Sequence, residues 1–407
     1  MRSGHRGRAH RARACVTVVF ALGGLVFASW ISRTPALRAA LALSEYQLGL
    51  LLLCLSSGAV AALPLAGPLV QRWGPRLVLL GGVLSVAAGL STLAAGVAVG
   101  WAGPAGAGLV AAGLGIGLWD VAMNVEAAAV ERLLDTTLMP QLHAVFSIGS
   151  VAGALLGAAA SATGVSLPEQ LAGTVILTVV VVLPAVRGFL SPPEAGTASR
   201  PAPSALRAWQ EPRTVLLGML VLAFAFAEGS ANDWLAVALV DGHGVSDPVG
   251  ALGFGAFVAA MTLARLGGGS ALRRWRPAAL LRAGAVLAMA GVMLVVLTPS
   301  APVAVLGAAL WGAGAALGFP LGMSAAGGNP DLAAARMGVV SAIGYTAFLA
   351  GPPLIGFLAE SIGVLQALLV VLVALVLGLI TAGAADSPVA APVAVPADTL
   401  TSLPRHF

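Results

Sequence analysis

Apolar residues dominate this chain in long runs rather than in alternation. Runs near 14–32, 46–69, 77–99, 104–130, 139–163 and 170–190 form a first set. Runs near 214–240, 249–271, 277–298, 301–326, 337–359 and 363–385 form a second. Crossing ~30 Å of hydrocarbon takes ~20 helical residues, so each run has the length of a transmembrane helix. Strand-like alternation is not sustained, and Gly and Ala recur throughout, which favours helices over an outer-membrane barrel. The pattern predicts an all-α polytopic membrane protein with twelve transmembrane helices in two six-helix pseudo-repeats. Between the sets, residues 191–213 are rich in Pro, Ser and charge, as a linker is, and residues from 386 onward form a Pro/Ala/Val-rich tail with no reason to pack. The expected division is a basic tail (1–13), a first half (14–190), the linker (191–213), a second half (214–385) and a disordered tail (386–407).

Composition agrees. Hydrophobic residues make up 59% and charged ones 9%, with mean hydropathy +0.97, whereas a soluble domain carries about 25% charged residues. The bilayer is the large apolar solvent such a chain needs. All 21 basic side chains are Arg, with no Lys. They lie between the apolar runs as loop anchors, so nucleic acid is not an expected partner. Without Lys there is no Walker-type phosphate loop, and the chain cannot energise transport by ATP hydrolysis at such a loop. Cys15 and Cys54 show no metal or redox spacing and read as small apolar fillers. No metal or cofactor is expected. The basic start lacks a fitting signal-peptide cleavage site and is read as a retained tail.

Positive charge orients the helices. With the amino terminus inside, nineteen arginines fall on the inner side, and only Arg33 and Arg38 fall in outer loops. Both termini are therefore expected in the cytoplasm, and the protein in a bacterial inner membrane.

The two sets of runs echo each other. Arg72-Trp73-x-Pro75, after the second run, matches Arg274-Trp275-x-Pro277 after the eighth, and Met123 in the fourth matches Met323 in the tenth. Parallel six-helix repeats are a transporter architecture, with the substrate site between them near mid-membrane. The segment Gly67-x-Leu69-x-x-Arg72-x-Gly74-x-Arg76 resembles the loop signature of the major facilitator superfamily. It departs from the family pattern at Gln71, where the family has Asp, and at Pro75, where it has Arg. The resemblance implies that Gly67, Arg72, Gly74 and Arg76 form a cytoplasmic gate motif; the substituted Asp bears on its charge relay. A finer resemblance runs through Trp119-Asp120-Val121-Ala122-Met123-Asn124, Glu131-Arg132, His143 to Gly149, and Glu228-Gly229-Ser230-Ala231-Asn232-Asp233-Trp234. These segments resemble the bacterial branch related to fucose permease, which implies a sugar-like solute and proton symport.

Ionisable groups inside a bilayer cost ~2.5–3.5 kcal/mol on insertion scales and by default face a cavity or a partner. Asp120 and Asn124 share a helix face at i, i+4, offering a proton-carrying carboxylate and a hydroxyl-binding amide; the alternative is a structural hydrogen bond to a neighbouring helix. Glu228 and Asn232 repeat the spacing in the seventh run, where the alternative is a carboxylate paired within its own half. Asp233 and Trp234 lie nearer the outer end, as cavity groups or interface anchors, and the Trp234 indole could carry the apolar side of a sugar ring. Trp119 accompanies Asp120. Glu126 and His143 lie at similar depth, as a titrating pair or a plain interhelical contact. Trp311 and Tyr345 are cavity-lining residues or filler. The stripe Gly149, Gly153 and Gly157 is structural, allowing close helix approach.

The leading expectation is a monomeric proton-coupled importer of a small polar solute such as a sugar, with the solute, protons and the lipid bilayer as partners. Proton-coupled drug or metabolite efflux suits the same fold, and a permease subunit serving a separate ATPase is disfavoured by the repeat. A membrane enzyme is not expected. The five His (5, 10, 143, 243 and 406) form no HExxH motif, and no Lys is present for Schiff-base chemistry.

Overall fold

The computed structural model describes residues 2–136, 138–190, 205–328 and 332–386, with only the backbone of 2–6, 205, 206 and 334. Linker residues 191–204 and tail residues 387–407 lie outside the described residues. Among the described residues there are helices and no strands.

Helix α1 (Arg2–Ile31) begins in the basic tail. Ala9 and Ala12 are buried, and Arg13 donates to Gln141, so the segment expected as a separate tail continues the first span. A short α2 (Thr34–Ala40) follows on the far face of the bundle. Helix α3 (Glu45–Ala98) spans 54 residues, which would reach ~80 Å if straight. It folds back at Gly74, whose φ of 77° and ψ of 160° belong to glycine. Pro75 then opens the second arm, where its missing N–H and fixed φ suit a first helical turn. The matching segment behaves alike: Arg276 is extended, and Pro277 opens α10 (Pro277–Leu297).

Helices α4 (Ala102–Leu134), α5 (Met139–Ala162) and α6 (Leu167–Ala185) complete the first set. Short α7 (Ala205–Trp209) leads to α8 (Pro212–Val237) and α9 (Asp247–Leu272), with α10 after them. The tenth apolar run, expected as one helix, is two: α11 (Ala301–Ala315) and α12 (Gly318–Ala326). Helix α13 (Ala333–Ile362) follows, and the last run is again broken, into α14 (Val364–Ala367) and α15 (Val370–Thr381). Eleven described segments are long and apolar enough to cross a membrane, and α3 holds two crossings, which makes twelve.

The same neighbours recur in both sets. Helix α1 packs on α5 as α8 packs on α13, and α3 packs on α4 and α6 as α10 packs on α11 and α15. Glycine sets some of these approaches. A Cβ on Gly149 would lie 1.9 Å from the Ala21 carbonyl oxygen, and one on Gly153 2.3 Å from that of Leu25. The predicted stripe is therefore the α1–α5 contact. Because overpacking typically costs ~1–3 kcal/mol, Gly149→Ala is expected to lower the thermal midpoint in detergent. Gly173→Ala, where a Cβ meets nothing within 4 Å, is expected to leave it unchanged. Equal midpoints for the two variants would refute this packing account.

At the end of the linker, Glu211 accepts from Arg336 Nε (2.6 Å) and from the Thr214 hydroxyl (2.8 Å), tying the start of α8 to α13. Those two contacts, Arg336 first, hold the Glu211 carboxyl below its ordinary range.

Candidate functional site

The two sets of six meet mainly through α3 against α13 and α5 against α9. Between them lies a central cavity. One part, of ≈ 450 Å³, is walled by Gly23 and Phe27 of α1, Trp119 and Asp120 of α4, and Phe146 of α5. Asp120 is open to this space more than halfway along α4. Asn124 Nδ2 donates to the Asp120 carboxylate (3.2 Å) and to its backbone carbonyl (2.9 Å). No cation pairs with Asp120 among the described residues. Tyr345 of α13 lies within electrostatic reach of Asp120, its ring beside Phe348.

The adjoining part is lined by Ser147 and Ser150 of α5, Glu228 and Asn232 of α8, and Thr262 and Arg265 of α9. Glu228 is not a free carboxylate. Arg265 Nη2 donates to both of its oxygens, at 3.1 and 3.0 Å, which is the pairing within its own half that the sequence left open. Arg265 itself escaped sequence reading, where it counted only as an inner-end positive charge. Its Nε donates to the Ala316 carbonyl (3.1 Å) at the break between α11 and α12.

Other candidates lie elsewhere or differently. Glu126 is buried and accepts from the Leu190 backbone N–H (2.6 Å), fastening the end of the sixth span to α4. His143 is exposed and packs edge-on against Phe20, so it does not pair with Glu126. Trp234 and Trp311 are both 0% exposed. The Trp234 ring lies against Gly356, and Trp311 meets Phe257 edge-to-face, so both pack the second half instead of presenting an indole to a solute. Asp233 is half-buried, with no hydrogen bond or ion pair among the described residues.

A family model described as the Major Facilitator Superfamily matches residues 14–352. The chain belongs to the major facilitator superfamily. An uncharacterised MFS-type transporter of Yersinia pestis is 32% identical over 345 residues, 84% of this chain and 88% of that protein. The membrane protein MosC of Rhizobium meliloti is 29% identical over 360 residues, 88% and 86% of the two chains. Among solved structures, a mutant of the nucleoside transporter NupG superposes with a TM-score of 0.76 at 14% identity, over 92% of this chain and 98% of that one. The E. coli fucose:proton symporter FucP gives 0.60 at 16%, over 91% and 98%. These two share the fold. The chain is thus a multi-pass membrane transporter of this superfamily, and the superfamily's loop signature can be placed on its structure. Gly67 is half-open, Gly74 makes the turn, and Arg72 and Arg76 are exposed with no ion pair among the described residues.

Closure lies at the other end. An ion pair and a hydrogen bond that join the two sets lie on the face opposite the amino terminus. Arg38 pairs with Glu45 of α3 (2.6 Å) and, across the divide, with Asp241 just beyond α8. The Tyr46 backbone N–H donates to Glu360 of α13 (3.3 Å). A Cβ on Gly49 would lie 2.7 Å from the Pro352 carbonyl oxygen, so α3 and α13 meet there backbone to backbone. Arg33 is buried nearby, donating to Gln170 (2.7 Å) and to the Val165 carbonyl (3.1 Å). Burial lowers its pKa, while the Asp247 carboxylate across the divide opposes that shift. This conformer is shut on the far face.

Proposed function

We propose that this superfamily member is a proton-coupled symporter that takes up a small polar solute, such as a sugar, by alternating access. It would work in a bacterial inner membrane as a monomer, with both termini cytoplasmic. The expected halves, 14–190 and 214–385, would rock about the cavity. The observation that carries this reading is Asp120, a carboxylate at the heart of the bundle with an amide partner and no cation. A bare charge there is stable only where water or a partner reaches it. Taking up or losing a proton therefore changes which opening of the cavity is favoured. Asn124, Asn232 and Tyr345 supply hydroxyl-binding partners. Two fold neighbours, a nucleoside transporter and a fucose:proton symporter, carry hydroxyl-rich solutes, which supports the same solute class. The gate residues Gly67, Arg72, Gly74 and Arg76 would close the cytoplasmic side in the alternate state.

Efflux of organic cations is the second reading, favoured by the carboxylate Asp120, without a cation partner among the described residues, beside the aromatic walls Phe27 and Phe146. Proteoliposomes loaded with a pH-sensitive dye separate the two. Lumenal acidification is expected on adding a monosaccharide, and Asn124→Ala is expected to weaken that response at least tenfold. Silence with sugars, together with proton exchange driven by lipophilic cations and indifferent to Asn124→Ala, would replace symport by efflux.

A further inference from the structure

Pro320 lies four residues after Ala316. In a continuous helix the Ala316 carbonyl would accept from the N–H of residue 320, and proline has none. The chain breaks there, with Leu317 at φ −100° and ψ −7° between α11 and α12. A stranded carbonyl at membrane depth needs a donor from elsewhere, and Arg265 Nε provides it from α9 at 3.1 Å. Arg265 Nη2 is held at the same time by both oxygens of Glu228. The guanidinium is therefore fixed along two edges and cannot swing without losing one of them. Its third nitrogen, Nη1, has no hydrogen-bond partner among the described residues, and the side chain is 32% exposed in the cavity that Phe27, Phe146 and Asn232 also line.

We propose that Arg265 Nη1 is a solute-binding donor that selects an oxygen acceptor on a neutral, hydroxyl-rich solute. Glu228 neutralises the guanidinium, so the site has no need of an anion. The planar fork still presents two N–H groups, which lysine cannot do while serving two other partners. Asp120, at the other part of the cavity, accepts from a solute hydroxyl. Together they fit a molecule with oxygens on two sides, a demand that a lipophilic cation does not meet. This deepens the proposed function by naming the positioning group for the solute, and it rests on the cavity being the transport site.

The test measures binding by quenching of intrinsic tryptophan fluorescence (Trp119 lines the cavity), and transport by counterflow. L-fucose, uridine and tetraphenylphosphonium serve as probes of wild type, Arg265→Lys and Arg265→Lys/Pro320→Ala. Pro320→Ala restores a donor for the Ala316 carbonyl, so the double variant relieves Arg265 of its structural duty. The expected result is an oxygenated probe bound by wild type and weakened at least thirtyfold by Arg265→Lys. The loss should persist in the double variant, with KM raised and maximal counterflow within threefold. Recovery of affinity in the double variant would reduce Arg265 to a helix cap and overturn the proposal. Unchanged affinity in Arg265→Lys overturns it too, as does a wild type that binds no oxygenated probe. Arg265-dependent binding of a probe that causes no lumenal acidification in the dye-loaded proteoliposomes would uphold the inference while removing the symport reading.

Discussion

Asp120→Asn is expected to abolish proton-driven accumulation of solute while leaving solute exchange intact. The carboxylates Asp120 and Glu126 of α4 and Glu228 and Asp233 of α8 differ in what holds them. Glu228 is tied to Arg265, and Glu126 to the Leu190 N–H. Asp233 is half-buried and does not line the described cavity, while Asp120 faces it with Asn124 as its polar contact. A charge that a proton can remove, in a space that a solute can reach, is what coupling needs. Asparagine keeps the shape and the bond to Asn124 and removes the titration. One charge crossing ~100 mV is worth about 2.3 kcal/mol, roughly fifty-fold in accumulation at 1.4 kcal/mol per tenfold. Proteoliposomes at that potential should therefore concentrate solute roughly fifty-fold with wild type and not at all with Asp120→Asn, while counterflow of preloaded solute stays within about threefold. Persistent accumulation in the variant would move the proton site elsewhere, with Asp233→Asn the next substitution to make. Loss of counterflow as well would show that solute binding needs the charge itself and not just the acceptor oxygen that asparagine keeps, which overturns the separation of coupling from binding at Asp120.

The fold was open to sequence reading because the bilayer imposes one length and one hydrogen-bonding rule on each crossing. Run length marked the twelve spans, and the gap between the runs 46–69 and 77–99 marked the fold-back inside α3. Helical spacing put Asp120 and Asn124 on one face, as the structure has them. What sequence could not supply was the partner across a helix boundary. Glu228 and Arg265 are 37 positions apart, and whether two helices turn those side chains toward each other depends on packing. Trp234 and Trp311 looked like candidates on residue type, but only tertiary contacts reveal their full burial. Pro320 was a readable signal that went unused: a proline inside an apolar run strands a carbonyl, and some other helix must then bring a donor. Arg33 and Arg38 carried another. As the two exceptions to the charge asymmetry they called for a reason: Arg38 pairs with Asp241 of the opposing set, and Arg33 is held by Gln170 and the Val165 carbonyl of its own set.

Arg38→Ala is expected to open the far face. In this conformer the guanidinium is shared by Glu45 on its own side and Asp241 across the divide, with Asp247 and Glu360 also at the seam. Removing Arg38 leaves Glu45 and Asp241 facing each other without their cation, so the closed state loses an attraction and gains a repulsion. The groups are partly exposed, at 20–33% for Arg38 and Asp241. The effect therefore falls between ~0–1 kcal/mol for a surface pair and ~3–5 kcal/mol for breaking a buried one. About 2 kcal/mol corresponds to roughly a thirtyfold shift toward the conformer open on that face. The readout is labelling of Asn232→Cys by a membrane-impermeant maleimide from the far side, in a Cys15→Ser/Cys54→Ser background. Labelling should accelerate roughly thirtyfold with Arg38→Ala, less with Asp241→Asn, and return toward the parent rate when Arg38→Asp is combined with Asp241→Arg. High salt should narrow the difference, because exposed pairs are screened over about 8–10 Å. Unchanged labelling would assign closure to the backbone contact of Gly49 with Pro352 instead, and Gly49→Val would then be the substitution that opens the far face.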